Sequence, residues 1–204
     1  MMKMRAILFL LLLAWPASAQ ADPPRVVLMG DSQVQGIDRE MARLSALQHF
    51  PYKAVLIGGS SVSYWAQPKT SGWDIRPRWK EIRDFKPDIV LVSLGSNDSY
   101  FGPQKVRDSV HTYLATFVNM VLDTGPSRIV WIGPPKLARA LAGEAAFYST
   151  LASENSGSIF EIFDSRDAEI QMELDKLHAT YKGSRKWAQL IWARVQPPQE
   201  QWGQ

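Results

Sequence analysis

Cysteine is absent from all 204 residues, so neither a disulfide framework nor thiolate chemistry is open to this chain. Histidine is scarce, with His49, His111 and His178 the full complement of three. His49 falls at the end of one helical pattern and His111 inside another, where cap and surface roles are the ordinary ones. No His, Asp and Glu cluster has zinc spacing, and no metal site is indicated. No Gly-x-Gly-x-x-Gly follows a strand pattern, so the dinucleotide fingerprint is missing, and no cofactor is indicated. Charge of one sign is also lacking. Taking Lys3 and Arg5 from the 23 basic residues leaves 21 against 20 acidic ones, which speaks against a nucleic-acid or anionic-membrane partner.

Long apolar runs are missing too, apart from the first residues. Lys3 and Arg5 open a basic start, Ala6 to Ala14 is apolar, and Ala17-Ser18-Ala19 is a small-residue cleavage pattern. Together they read as a secretory signal peptide over residues 1–21, cut after Ala19 or Ala21. The run falls short of the roughly 20 residues that span a bilayer, and an uncleaved anchor is the alternative reading. With no cysteine at the cut, a lipid anchor at that position is excluded. The expectation is a periplasmic or secreted protein. About 183 residues follow Ala21, enough for one well-buried domain, read as 22–195 with a loose Pro- and Gln-rich tail at 196–204.

What is present alternates. Arg25–Met29 reads as a strand, 37–50 as a helix with Ile37, Met41, Leu44 and Leu47 at helical spacing, and Tyr52–Ile57 as a second strand. A helix follows over Asp74–Phe85, with Pro77 in its first turn. Asp88–Leu94 is nearly continuously apolar, as a central parallel strand covered on both faces should be. Then come a helix over 103–124, a strand over Arg128–Ile132, a helix over Leu137–Ser153, a strand over Ser158–Phe163 and a helix over Thr180–Arg194. Five strands alternating with helices predict an α/β fold: a doubly wound, five-stranded parallel sheet in a three-layer α/β/α sandwich, flavodoxin-like in type.

In such sheets the crevice outside the carboxyl ends of the strands is where ligands sit. The first strand delivers Gly30-Asp31-Ser32 to that rim, the second Gly58-Gly59, the third Gly95-Ser96-Asn97-Asp98, and the segment after the fifth Asp175 and His178. A nucleophilic serine needs an imidazole to take its proton, a carboxylate to orient the imidazole, and donors aimed at the developing oxyanion. Ser32, His178, Asp175 and Asn97 could supply these parts. Each has a plain structural reading as well. Gly-Asp-Ser is turn composition, and Asp175 with His178 is equally a solvated pair three residues apart.

The four ordered blocks, Gly30-Asp31-Ser32, a glycine after the second strand, Gly95-Ser96-Asn97-Asp98 and Asp175-x-x-His178, resemble those of the SGNH (GDSL-type) hydrolase superfamily. Ile132-Gly133-Pro134-Pro135 and the His178, Gly183, Trp187, Ala188 run agree with it. The match spans the whole mature chain. Two departures stand out: Gln33 follows the serine where leucine is usual, and the second block lacks the frequent upstream Asn. The resemblance implies Ser32 as nucleophile, His178 as general base and Asp175 as its orienting partner. It implies an oxyanion hole from the Ser32 N–H, the Gly59 N–H and the Asn97 amide, with Gly58 the alternative donor. The implied activity is a carboxylic ester hydrolase working through an acyl-serine. O-deacetylation of a polysaccharide or peptidoglycan is favoured, because an exported single domain with a compact, aromatic-rimmed site resembles the carbohydrate-active branch. The lack of a large apolar lid in the sequence favours a short acyl group. A lipase, thioesterase or acyltransferase is the alternative, and a non-catalytic polysaccharide-binding or assembly protein a third reading. Activity is expected to fall in acid as His178 takes a proton. Trp65, Asp98 and Tyr100 are the candidate substrate contacts, although aromatics under a loop are equally core. The implied partner is an acylated carbohydrate or small acyl ester.

Overall fold

Period-2 alternation within each strand builds two cores, one on either side of a single sheet. Val27 and Met29 of β1 (Val26–Gly30), Val90 and Val92 of β5 (Ile89–Ser93), and Ile129 and Trp131 of β6 (Arg128–Ile132) point into one. Val26 and Leu28, Leu91, Val130 and Ile132 point into the other. The computed structural model describes residues 22–67, 69–70 and 73–196. The leader expected at 1–21 and all but Gln196 of the expected tail lie outside them.

With β2 (Tyr52–Leu56) and β7 (Glu161–Phe163), the three central strands form a five-stranded sheet of order β2-β1-β5-β6-β7. Every pairing is parallel. α1 (Ser32–Leu47) and α6 (Tyr181–Val195) cover one face, and α3 (Arg76–Phe85), α4 (Pro103–Leu122) and α5 (Glu144–Glu154) the other. This is the expected doubly wound α/β/α sandwich. The chain leaves β1 toward β2 and later returns to β5 on β1's other side. The switch point therefore lies between the loops after β1 and β5, which carry Ser32 and Asn97.

Aromatic rings fill the α3–α5 side: Trp79, Phe117 and Trp131 pack in sequence with centroids 6.0 and 5.7 Å apart. Burying an indole costs its N–H unless a partner is found. Trp79 Nε1 donates to the Trp65 carbonyl and Trp131 Nε1 to that of Leu94, and on the opposite face Trp187 Nε1 donates to Ser165 Oγ.

Several boundaries differ from expectation, each for a local reason. α1 begins at Ser32, not Ile37, because the Asp31 side chain accepts the Gln33 N–H at 2.8 Å and caps the helix. Residues 62–66, expected as loop, form α2 (Val62–Ala66), capped by the Ser61 side chain accepting from the Tyr64 N–H. A two-residue hairpin follows, β3 (Lys69–Thr70) against β4 (Trp73–Asp74). α5 starts seven residues later than Leu137, at Glu144, after an irregular loop over 133–143 that is tied back by the Gly143 N–H donating to the Ser99 carbonyl at 2.9 Å. The fifth strand is only Glu161–Phe163. Among the described residues no helix is long and apolar enough to cross a membrane.

Candidate active site

The nucleophile candidate stands in the first turn of a helix, where backbone N–H groups have no intrahelical acceptor. Ser32 therefore presents both its hydroxyl and its own N–H at the rim. The imidazole comes from the far end of the chain, 146 residues on. His178 Nε2 lies 3.0 Å from Ser32 Oγ, and His178 Nδ1 lies 2.6 Å from Asp175 Oδ2. Asp175 is held well below the usual carboxylate range, at about 2, by the His178 imidazole and by N–H groups of His178 and Leu177. An ionised Asp175 puts the proton on Nδ1, which leaves Nε2 to accept from Ser32 Oγ–H.

A tight turn holds this pair. Asp175 Oδ1 accepts the N–H groups of Leu177 and His178, each at 2.9 Å, and Lys176 takes a left-handed φ of +62°. The Glu173 N–H donates to the His178 carbonyl at 2.7 Å, and an antiparallel bridge joins Met172 to Ala179. The carboxylate therefore orients the ring and shapes the turn at once. With side chains 41% and 47% exposed, His178 and Asp175 form an open rim, not a closed chamber.

Across from them, Asn97 opens a 3-10 turn (Asp98–Tyr100) after β5. Its Nδ2 donates to Asp31 Oδ2 at 2.8 Å and to the Ser60 carbonyl at 3.0 Å. Both N–H groups are thus engaged, so an oxyanion bound here must share one of them. The engagement ties the loops after β1, β2 and β5 into one unit. Asp31 was read as a turn residue; it is fully buried and is the centre of this unit. Burial pushes its carboxyl up to about 7, against the Gln33 N–H and the Asn97 amide, which pull the other way. The cap position one residue before a helix is the signal that could have marked it.

Gly59 has φ +73° and open space where a Cβ would stand, so the loop after β2 needs glycine for its backbone shape. Gly58 beside it is also exposed. Of the expected substrate contacts, only Tyr100, 47% exposed, faces solvent. Trp65 is corrected to a supporting position, while Asp98 is nearly buried at the edge of a cavity that it helps to line. The Trp65 ring is fully buried, with Nε1 donating to Ser60 Oγ at 2.9 Å, so it props the loop after β2 from beneath. Asp98, 4% exposed, accepts the Val62 N–H at 3.2 Å and anchors the start of α2. Burial raises its carboxyl to about 6.

A shallow cavity of about 430 Å³ adjoins this loop, with Ser61, Ser63, Asp98, Phe101, Lys105 and Asp108 in its walls. Another of about 700 Å³ lies at the amino end of the strands, against Pro23, Arg25, Asp88 and Arg128, on the side away from Ser32. Among the described residues no group of three or more His, Asp and Glu could hold a metal ion.

No sequence-family model and no curated protein matches the chain. Solved structures do. A carbohydrate acetylesterase family member from Sinorhizobium meliloti is 16% identical, with a TM-score of 0.63 over 84% of this chain and 97% of that one. An aryl esterase from M. smegmatis, in inhibitor-bound form, is 14% identical, with a TM-score of 0.62 over 84% and 98%. A GDSL-like lipase from Bacteroides thetaiotaomicron is 14% identical, with a TM-score of 0.57 over 86% and 91%. The chain has the SGNH hydrolase fold.

Proposed function

We propose that this protein is an exported serine esterase that cleaves ester bonds through an acyl-Ser32 intermediate. The observation that carries the reading is the Asp175–His178–Ser32 relay, at 2.6 and 3.0 Å. His178 Nε2 takes the Ser32 proton as Oγ attacks the ester carbonyl, and returns it to the leaving alcohol. Water then enters by the same route, with His178 again as base, and releases the acid. The Ser32 N–H, the Gly59 N–H and the Asn97 amide receive the oxyanion, each such donor contributing roughly 3–4 kcal/mol to lowering the barrier. Asp175 stays ionised and orients the ring.

The substrate class we favour is an O-acetylated polysaccharide or peptidoglycan. An open rim, the Ser61 and Ser63 hydroxyls and the exposed Tyr100 and Phe101 suit a bulky polar alcohol beside a short acyl group. Export rests on the leader pattern at 1–21. The same relay serves a longer-chain esterase or an acyltransferase, and acyl-chain preference separates them.

The test is hydrolysis of 4-nitrophenyl acetate and 4-nitrophenyl octanoate by the chain from residue 22 onward, beside Ser32→Ala. The expected result is preference for acetate and loss of turnover by at least about a thousandfold in the variant. Octanoate preference moves the assignment to a lipase or thioesterase. Turnover that survives Ser32→Ala overturns the serine mechanism.

A further inference from the structure

Between α1 and α6 lies a third cavity, of about 480 Å³, lined by Gly36, Arg39, Glu40, Arg43, Tyr181 and Arg185. Its position is set by two helices: α1, which begins at Ser32, and α6, which begins three residues after His178. On a helix of 3.6 residues per turn, positions 32, 36, 39 and 43 fall on one stripe. The stripe runs from the nucleophile past Gly36, against which the Ser184 side chain of α6 packs, to two arginines. A Cβ on Gly36 would come within 2.6 Å of Ser184 Oγ, so glycine here lets α6 pack close against α1 at the end of the cavity nearer Ser32. Tyr181 and Arg185, four apart on α6, form the opposite wall.

The cavity is cationic and partly preorganised. Glu40, its side chain 8% exposed, accepts from Arg43 Nε and Nη2 at 3.0 and 2.7 Å. The same carboxylate lies 3.6 Å from Arg185 Nε and accepts from Gln189. One carboxylate thus fixes two guanidiniums, and Arg43 holds it below its ordinary range. Arg39 forms no ion pair among the described residues. Three arginines face one Glu, leaving a surplus of positive charge in a concave site. That site starts one helical turn from Ser32 at Gly36 and has its nearest arginine, Arg39, two turns (about 10 Å) along α1. Guanidinium groups match planar oxyanions by paired N–H donation.

We propose that this trough is a subsite for an anionic group of the substrate, a carboxylate or a phosphate carried on the alcohol side of the ester. For an acetylated glycan that means an acidic sugar next to the acylated one. The proposal rests on the acyl-Ser32 reading for where the ester lies. A network serving only to clamp α1 to α6 would need one arginine on Glu40, and Arg39 would add nothing to it.

The experiment measures binding, so that it does not depend on turnover. Ser32→Ala protein is titrated calorimetrically with acetylated trigalacturonate, acetylated xylotriose and acetylated glucose 6-phosphate, at 50 mM and 0.5 M NaCl. The expected result is about tenfold tighter binding of an anionic ligand than of xylotriose at low salt, largely lost at high salt. Whichever anion gains identifies carboxylate or phosphate as the source. Adding Arg39→Gln and Arg185→Gln leaves the Arg43–Glu40 pair in place and should abolish the anionic preference without changing xylotriose binding. A melting temperature for that variant close to that of Ser32→Ala shows that it is folded. Equal binding of all three ligands, binding of none, or a preference that survives both arginine changes overturns the proposal. Failure of the unaltered chain on 4-nitrophenyl esters would instead count against the esterase reading, independently of these titrations.

Discussion

Asp31 and Asp98 lie on either side of Asn97 in the sequence of loops around Ser32, and burial dominates the protonation of both. A carboxyl raised on folding binds its proton more tightly in the native state than in the unfolded chain. The stability linked to that proton is complete below the ordinary 3.8 and is lost as pH rises through about 6 for Asp98 and about 7 for Asp31. The molecule should therefore melt at progressively lower temperature from pH 4 to pH 7, as far as these two groups decide it. For Asp98 the rise corresponds to about 3 kcal/mol. Asp98→Asn keeps an oxygen for the Val62 N–H but cannot ionise. Its melting temperature at pH 8 should exceed that of the unaltered protein by about 6–12 °C, with a flatter profile between pH 4 and 6. Parallel profiles for the two proteins would show that Asp98 is neutralised in some other way. Nothing in the sequence separated Asp98 from a solvent-facing binding residue, because burial is a property of what packs above a side chain.

At the scale of elements, five residues of α2 do the work of positioning the loop after β2. Ser61 caps the helix, Asp98 receives its first N–H, and Trp65 reaches back to Ser60, whose carbonyl accepts from Asn97. Trp65→Phe keeps most of the ring and removes the N–H, leaving Ser60 Oγ without that donor. We expect about 1 kcal/mol of lost stability in urea unfolding, and a larger proportional fall in kcat than in KM for 4-nitrophenyl acetate. A KM effect alone would place Trp65 at the substrate after all. Strands and long helices were legible because alternation and 3.6-residue spacing are written locally. α2 was not, since a single turn gains its stability from capping and from the aromatic core beneath it. The same holds for α1, whose start five residues early depends on Asp31 turning inward as a cap.

For the whole molecule, the aromatic layer under α3–α5 is the main store of apolar burial without any disulfide to assist it. Phe117 is fully buried between Trp79 and Trp131, within the core under α3–α5. Phe117→Ala should cost about 3–5 kcal/mol, read from the urea midpoint, while the folded fraction keeps its kcat/KM. A loss below about 1 kcal/mol would mean that the layer collapses to refill the space.

The order of strands and helices, the apolar central strand and the four blocks were determined by the sequence alone, because each is a short-range pattern of side-chain type. Their convergence was decided only by the tertiary structure. His178 meets Ser32 across 146 residues because α6 packs beside α1 and the sheet reverses its order at β1. The same packing buried Trp65, Asp98 and Asp31, left Tyr100 exposed, and gathered Arg39, Arg43 and Arg185 from two helices into one trough. Residue type states what chemistry a side chain can do; burial and neighbours, which long-range packing sets, decide which of it is done.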